Sequence, residues 1–558
     1  MIARVDRSRI RTRWILAWFT GMALLYLLAA GAATVLLSPR VPYADGWQHY
    51  ATLLSTPFPA SVFAADNGHP ELFANLVRLA SLRWTGASEV PQIAIGFALA
   101  LASLAILAAM LRLPPRLPPA QCAAIACVLV LGVFWLGNGR ALLHDNEALH
   151  VYSVFACLFA AVALLLRGTL DTAPSTARVT AAAALCVACA LNFGSGTAAF
   201  VAVAAVLFVR RATMHAWLVL AGVLVAVLGL YRMLPGSAGV PLAFHPVAQA
   251  GLALHWIASP LVYLLWPFVD PAAASALPPP LDALAGVARA WTAFAGDVHA
   301  SVLPQASAGA AFTVLLLAFT LRAHRDPAAL HPIGCAGLAL AWFGLGVAGL
   351  VALTRYDYFL AHADQIQAPR YLPWSSLAWT GLLVAALARR APGRLPLAIA
   401  AVVPLLALAA EGGMAIAMKH QRTVAEDVAL AAVVGLLPDR ADGGETDAAV
   451  TQRAAQWMRP SGLGPFGWPE AALVGSRAPA SVLPVAVLAL SRVPVAGGAR
   501  IEAHLGDPPC PALRLLVLED GRVTGLLRPL GGGYWRGAAR TSSGALPAAA
   551  TVGARCRH

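Results

Sequence analysis

The first apolar run of the chain, residues 14–37 (WILAWFTGMALLYLLAAGAATVLL), is followed closely by a polar stretch at residues 43–71 (YADGWQHYATLLSTPFPASVFAADNGHPE). A transmembrane helix needs about 20 apolar residues, whereas the apolar core of a signal peptide has about 7–15. We therefore predict an uncleaved first helix. Runs of this kind recur along most of the chain, of which 59% is hydrophobic and only 12% charged. Soluble domains carry about 25% charged residues, so this is a polytopic membrane protein.

The sequence predicts an all-α polytopic fold with about 11–13 transmembrane helices in residues 1–418. The uncertainty in number comes from residues 251–268 and 281–295, which either both cross the membrane or both do not. Residues 419–558 contain no further span. Their short apolar runs separated by Gly/Pro turns predict a small mixed α/β domain.

The distribution of arginine predicts the orientation. Arginines lie mainly in the N-terminal segment and in short links between spans, which positive-inside bias places in the cytoplasm. The polar loops 38–90, 138–150 and 354–371 then lie on the outer face of a cytoplasmic (inner) membrane, as does the C-terminal domain. There Cys510 and Cys556 could form a disulfide. The net charge of +13 does not indicate nucleic-acid binding, because no basic stripe with interleaved aromatics accompanies it.

The first loop collects five ionisable residues, Asp45, His49, Asp66, His69 and Glu71, of which His49 is a candidate substrate-binding residue. Asp45 could deprotonate an acceptor, or it could only cap a helix that begins at Gly46. Asp66 and His69 could share a metal ion or a hydrogen bond if the segment turns, or the segment could merely cap the next helix. Whether a divalent metal binds stays open. Residues 70–84 are predicted to form a helix along the membrane interface.

The second loop contains HDNE at residues 144–147, with Arg140 just before it. His144, Asp145 and Arg140 are candidate substrate-binding residues. Acidic residues at a helix start are also favoured by the helix dipole alone, so a purely structural role stays open for Asp145.

The third loop places Arg355 and Arg370 around several aromatic and acidic residues, and Tyr371 follows directly. A guanidinium can bind phosphate oxygens in a bidentate manner, and Arg370 lies where the chain re-enters the membrane. Arg355, Arg370 and Tyr371 are thus candidate substrate-binding residues. The alternative is that they only anchor the chain at the interface.

This arrangement resembles the GT-C superfamily of multi-span glycosyltransferases that use polyprenyl-phosphate sugars. The likeness rests on YADGW after the first span, on DNGHPELFANL before the predicted interfacial helix, and on many spans followed by an outer domain. It also extends to uncharacterised bacterial membrane proteins with an NFGSG hairpin and a late APRY segment. The resemblance implies that Asp45 is the general base, that Asp66, His69 and Glu71 orient the acceptor or a metal, and that Arg370 contacts the donor phosphate.

The leading functional hypothesis is therefore transfer of a sugar from a lipid-phosphate donor to an envelope glycan, lipid or protein. Membrane lipids and the donor would be its partners, and its oligomeric state is open. The absence of a nucleotide-binding motif in the sequence agrees with a lipid-phosphate leaving group. The alternatives are a transporter or flippase, which should carry ionisable groups at mid-membrane, and a non-catalytic envelope assembly protein.

Overall fold

The computed structural model describes residues 7–66, 68–233, 244–269, 302–390, 393–436, 447–495, 497–540 and 551–556. The chain forms two compact units, which are treated separately below. The first comprises Met1–Leu37, Ala65–Ala74 and Ile93–Met418, and the second comprises Ser38–Ala64, Asn75–Gln92 and Lys419–His558.

The described α-helices, in chain order, are α1 (Arg7–Leu37), α2 (Gly46–Ser55), α3 (Leu72–Thr85), α4 (Val90–Met110), α5 (Pro119–Phe134), α6 (Gly139–Leu143), α7 (Asp145–Leu165), α8 (Thr176–Asn192), α9 (Ala199–Val209), α10 (Met214–Met233), α11 (Pro246–Ile257), α12 (Ser259–Val269), α13 (Val302–Arg325), α14 (Pro332–Thr354), α15 (Tyr356–Ala361), α16 (Leu372–Leu387), α17 (Arg394–Val434) and α18 (Ala448–Met458). The strands are β1 (Ala65–Asp66), β2 (His69–Pro70), β3 (Val482–Val485), β4 (Val487–Val495), β5 (Gly498–Leu505), β6 (Leu515–Glu519), β7 (Arg522–Gly531), β8 (Tyr534–Arg540) and β9 (Thr551–Arg555).

Nine helices in the described residues are long and apolar enough to cross a membrane. They are Thr12–Leu37, Val90–Met110, Pro119–Leu143, Asp145–Leu165, Met214–Met233, Pro246–Leu265, Pro304–Arg325, Pro332–Thr354 and Arg394–Val434. Two shorter apolar helices are Thr176–Asn192 and Gly194–Val209. The prediction of a mainly helical protein is thus confirmed, and the nine apolar helices agree with a polytopic membrane protein. The number of spans, about 11–13, stays a prediction.

The two uncertain stretches have different outcomes. Residues 251–268 fall on α11 and α12, whose helical bonding is interrupted at Ala258. Residues 281–295 lie outside the described residues.

Small residues bring the helices of the first unit close together. At the crossing of α14 and α16, a Cβ added to Gly337 would lie 2.5 Å from the carbonyl oxygen of Gly381. Spanning helices pack mainly through van der Waals contact, so glycine at such a crossing lets the two backbones approach. The apolar core of this unit is correspondingly continuous across most of its helices.

Several helices of the first unit start or end beside short connecting links, and we call this end of the unit the link end. The helices concerned are α5, α7, α9, α13 and α16. Here the guanidinium of Arg210 donates to the carbonyl oxygens of Leu165, Thr169 (2.7 Å) and Thr172 (2.5 Å). Arg211 donates to the carbonyl oxygen of His324 at 2.9 Å. Because carbonyls at the last turn of a helix lack intrahelical partners, these side chains satisfy them and join neighbouring links.

The second unit contains a seven-stranded sheet in the order β3-β9-β6-β7-β8-β5-β4, and every neighbouring pair of strands is antiparallel. Alternate residues face opposite cores, as the two-residue period of a strand requires. Leu515 and Leu527 join a core within the sheet, whereas Leu516 and Leu526 join a core shared with the helices. The strands β3 and β4 are separated only by Ala486 yet lie at opposite ends of the order.

The second unit differs from the predicted domain in two respects. It is dominated by an antiparallel sheet with few helices, and it includes the loop segments Ser38–Ala64 and Asn75–Gln92 as well as the C-terminal residues. The apolar side chain of Trp47, from the loop, belongs to the same core as Val428 and Leu526. The structure also contains a disulfide between Cys510 and Cys556.

The helix predicted along the membrane interface is present as α3. Within the second unit its polar residues Asn75, Arg78 and Ser81 are buried, whereas Leu76 and Trp84 are exposed. The side-chain amide of Asn75 donates to the carbonyl oxygen of Ala64 at 2.9 Å. A helix that turns polar groups inward and apolar groups outward suits an apolar surrounding. Its location at a bilayer surface stays a prediction.

Candidate functional site

We call the end of the first unit opposite the link end the loop end. A short hairpin lies there. The strands β1 and β2 pair Ala65 with Pro70 and Asp66 with His69. Directly opposed residues of an antiparallel pair direct their side chains to the same side. The segment therefore turns, as the predicted interaction between Asp66 and His69 requires. Whether the two side chains share a metal ion stays a prediction.

Glu71 follows the hairpin and is buried against α7. Its Oε1 lies 3.6 Å from Nδ1 of His150, and both side chains are nearly inaccessible to solvent. The carboxylate and the imidazole therefore form a buried pair close enough for an ionic contact.

The aromatic ring of Phe193 connects the hairpin with α7 and α16. It stacks on His150 with ring centroids 4.1 Å apart and planes inclined by 5°. The ring of His69 lies 4.7 Å from it, and Trp374 stacks in parallel at 6.0 Å. A Cβ on Gly194 would lie 2.3 Å from Nδ1 of His69, so glycine is needed for the close approach. The NFGSG hairpin thus positions an imidazole.

The second loop folds into α6 and the first turn of α7, and its polar side chains are buried. Nε of Arg140 forms a short salt bridge with Glu147. His144 occupies the N-cap position of α7, and Asp145 lies in its first turn. The position of Asp145 agrees with stabilisation by the helix dipole. Arg140 is buried and paired with a buried acid, unlike an arginine in an exposed surface link.

The third loop places its basic groups among aromatic rings. Arg370 donates to the hydroxyl of Tyr358 at 3.4 Å, and its guanidinium carbon lies 5.0 Å from the ring centroid of Tyr371. Arg355 lies 5.9 Å from the ring centroid of Tyr358. The ring of Tyr371 also packs 6.0 Å from Trp256. Such contacts hold guanidinium groups in a defined plane.

Arg140 and Arg370, which come from different loops, are brought close together at the loop end. Burial and the like charge of nearby Arg140 lower the pKa of Arg370, but contacts with Tyr371 and Tyr358 raise it, and the net effect is a raised pKa. Among the side chains that the structure describes, no carboxylate forms a salt bridge with Arg370. Arg140 is buried and paired with Glu147, so Arg370, half-buried and without a described carboxylate partner, is the guanidinium that can attract an anion here.

The positive charge of Arg355 also acts on His69 in the hairpin. Burial, and then the charge of Arg355, lower the pKa of His69 to about 4, against the opposing effect of Glu71. The imidazole of His69 is therefore neutral at physiological pH and can accept a hydrogen bond.

The predicted site residues belong to two different units. The first unit contains Asp66, His69, Glu71, Arg140, His144, Asp145, Arg355, Arg370 and Tyr371. The second unit contains Asp45 and His49. Asp45 stands at the N-cap position of α2 and is exposed, but its side chain makes no capping hydrogen bond. His49 is buried within the same helix. The roles of Asp45 and His49 stay predictions.

Several residues of the site were missed from the sequence. His144, Glu147 and His150 recur every three positions, the spacing of one helix face, which could have indicated Glu147 and His150. Phe193 had no comparable signal. Nor did Glu411, whose Oε1 accepts a hydrogen bond from the backbone N–H of Leu136 at 2.9 Å, where α5 has just ended.

Comparisons of this chain with protein-family models, with curated proteins and with solved structures found no match.

Proposed function

We propose that this protein is a membrane glycosyltransferase that takes its sugar from a polyprenyl-phosphate donor. The observation that carries the proposal is the pair of guanidinium groups, Arg140 and Arg370, brought together among carboxylates and imidazoles at one end of an apolar helical unit. A lipid-linked phosphate would meet these groups where the spans end. The ring of Tyr371 suits the same depth, because tyrosine favours the membrane–water interface.

The reaction would need a phosphate clamp and a base. The acceptor oxygen attacks the anomeric carbon, the bond from that carbon to the phosphate oxygen breaks, and the base takes the acceptor proton. The lipid phosphate leaves with the negative charge, which Arg140 and Arg370 stabilise. No nucleotide takes part in this scheme. A divalent metal, if required, would add further charge stabilisation.

The proposed orientation places the loop end and the second unit outside the cytoplasm of a bacterial inner membrane. The disulfide between Cys510 and Cys556 supports this for the second unit, because disulfides persist in oxidising compartments. The concentration of arginines at the link end, including Arg210, Arg322 and Arg389, supports a cytoplasmic location for that end.

One experiment can identify which aspartate is the general base. Asp45→Asn and Asp66→Asn are compared with wild type in the purified full-length protein. Asp507→Asn, at an exposed position of the second unit, is the matched control. A polyprenyl-phosphate sugar is titrated, and donor binding and sugar release are measured together.

Loss of a general base should leave donor binding unchanged and reduce release by about a hundredfold or more. We expect this for Asp45→Asn; the same result for Asp66→Asn alone would transfer the role to the hairpin. If wild-type protein neither binds nor consumes any lipid-linked sugar, the glycosyltransferase proposal fails, and the transport and assembly alternatives take precedence.

A further inference from the structure

A cleft opens at the link end of the first unit, far along the helices from the loop-end residues. It has a volume of about 350 Å³ and lies among α13, α14 and α16. Ligand-binding clefts commonly measure about 300–1,000 Å³, so this one is large enough for a lipid headgroup.

The mouth of the cleft is strongly basic. Arg322, Arg325 and Arg389 line it, and Asp326 is the one carboxylate among its described lining residues. Three positive charges and one negative charge leave the mouth with a net charge of +2. Among the described side chains, no salt bridge engages any of these three arginines. They differ in this from Arg210 and Arg211, which are bound to backbone carbonyls.

The inner part of the cleft is apolar. Phe319 and Leu338 line it together with small and aliphatic residues. Phe319 precedes Arg325 by six residues on the same helix, which corresponds to about 9 Å along the axis. A ligand that fills the cleft would therefore meet guanidinium groups at one end and hydrocarbon at the other. This is the polarity of an anionic amphiphile and not of a free inorganic ion.

We propose that this cleft binds an anionic phospholipid, with the phosphodiester at Arg322, Arg325 and Arg389 and an acyl chain along Phe319 and Leu338. Arginine suits the phosphate because its planar fork can pair with two phosphate oxygens. The depth agrees as well, because α13 ends at Arg325 and α14 begins at Pro332, where spanning helices reach the headgroups. This site is independent of the glycosyltransferase proposal.

The test uses full-length protein in phosphatidylcholine nanodiscs, with phosphatidylglycerol added in steps and retained lipid counted by native mass spectrometry. The double variant Arg322→Gln/Arg389→Gln is compared with Arg112→Gln/Arg116→Gln, which removes the same charge from exposed link positions outside the cleft. We expect the affinity for phosphatidylglycerol to fall about tenfold or more in the cleft variant only. Equal losses in both variants would overturn the proposal, because they would indicate general surface attraction.

Two further measurements remove the remaining ambiguities. Arg322→Lys/Arg389→Lys keeps the charge and controls for folding. It should melt like wild type and bind between wild type and the glutamine variant. Glycerophosphoglycerol, which has the headgroup without acyl chains, and inorganic phosphate are offered as competitors. If either displaces the lipid at equal concentration, the site belongs to a soluble phosphate compound and the lipid proposal is wrong.

Discussion

The two ends of the helical unit use arginine in opposite ways. At the link end, Arg210 is buried and its guanidinium donates to backbone carbonyls of the neighbouring link. At the loop end, Arg370 is half-buried, contacts two tyrosines and lies close to the like charge of Arg140. In the first arrangement, carbonyl oxygens of the protein accept hydrogen bonds from the guanidinium. The second gathers positive charge without a described carboxylate partner for Arg370, which is why we propose that an anion binds there.

The partners of a buried cation indicate its role better than its burial does. Backbone carbonyls at helix ends need donors in any fold, so an arginine that serves them is part of the architecture. Arg370 has no described carboxylate partner, so the nearby like charge of Arg140 raises the electrostatic energy of its cation even though Arg140 is itself paired with Glu147. A natural protein tolerates such a cost mainly at functional sites.

The largest effect is expected from Arg370→Gln. If the loop-end arginines bind a donor phosphate, loss of one bidentate guanidinium should weaken donor binding about a hundredfold, while the melting temperature changes little. Isothermal titration with a polyprenyl-phosphate sugar measures the first quantity and a thermal-unfolding scan the second. Arg390→Gln, at an exposed link position, is the matched control. If Arg370→Gln instead lowers the melting temperature and its folded fraction keeps wild-type donor affinity, Arg370 has a structural role like that of Arg210.

Arg210→Gln should show the reverse pattern. Removing the guanidinium leaves the carbonyl oxygens of Leu165, Thr169 and Thr172 without these donors, which we expect to cost about 2–4 kcal/mol of stability. Donor affinity of the folded fraction should stay at the wild-type value. Arg211→Gln, at the adjacent exposed position, should cost less than about 1 kcal/mol. Chemical denaturation in detergent gives the comparison, and equal losses for the two variants would contradict it.

The last effect concerns pH and is confined to acidic solution. The pKa of His69 is lowered to about 4, whereas an imidazole in the unfolded chain titrates near about 6.5. Between these values the unfolded state binds more protons, so stability should decrease as pH falls through this window and be unaffected above it. His69→Gln should flatten the dependence of melting temperature on pH between about 6.5 and 4, whereas His215→Gln, at an exposed position, should follow wild type. Parallel curves for wild type and His69→Gln would show that His69 is not kept neutral by its surroundings.

Much of the helical architecture could be predicted because apolar length is a local property. The run at residues 14–37 and the long apolar stretches that became α4, α5, α7, α14 and α17 were recognisable on their own. The turn between Asp66 and His69 is also local, and it was anticipated as a condition for their interaction. The positive charge of the links was also recognisable from the sequence. The sequence did not show which of these arginines donate to backbone carbonyls and which line a cleft.

What could not be predicted depends on contacts between distant segments. The stacking of Phe193 on His150 and the proximity of Arg140 to Arg370 join residues that are 43 and 230 positions apart in the sequence (193 − 150 and 370 − 140). Likewise, the assignment of Asp45 to a unit with the C-terminal sheet follows from the burial of Trp47 in a core with Leu526. Apolar periodicity predicts that Trp47 is buried but not which partners cover it.

The order of strands in the C-terminal sheet has a consequence for biosynthesis. The last strand in sequence, β9, is inserted between β3 and β6 and bonds to both, pairing Val482 with Arg555 and Leu515 with Ala554. Until Thr551–Arg555 has been synthesised, β3 and one edge of β6 lack this partner strand and can pair with other chains. The described sheet can therefore close only after β9 has been made, which favours late folding of this unit.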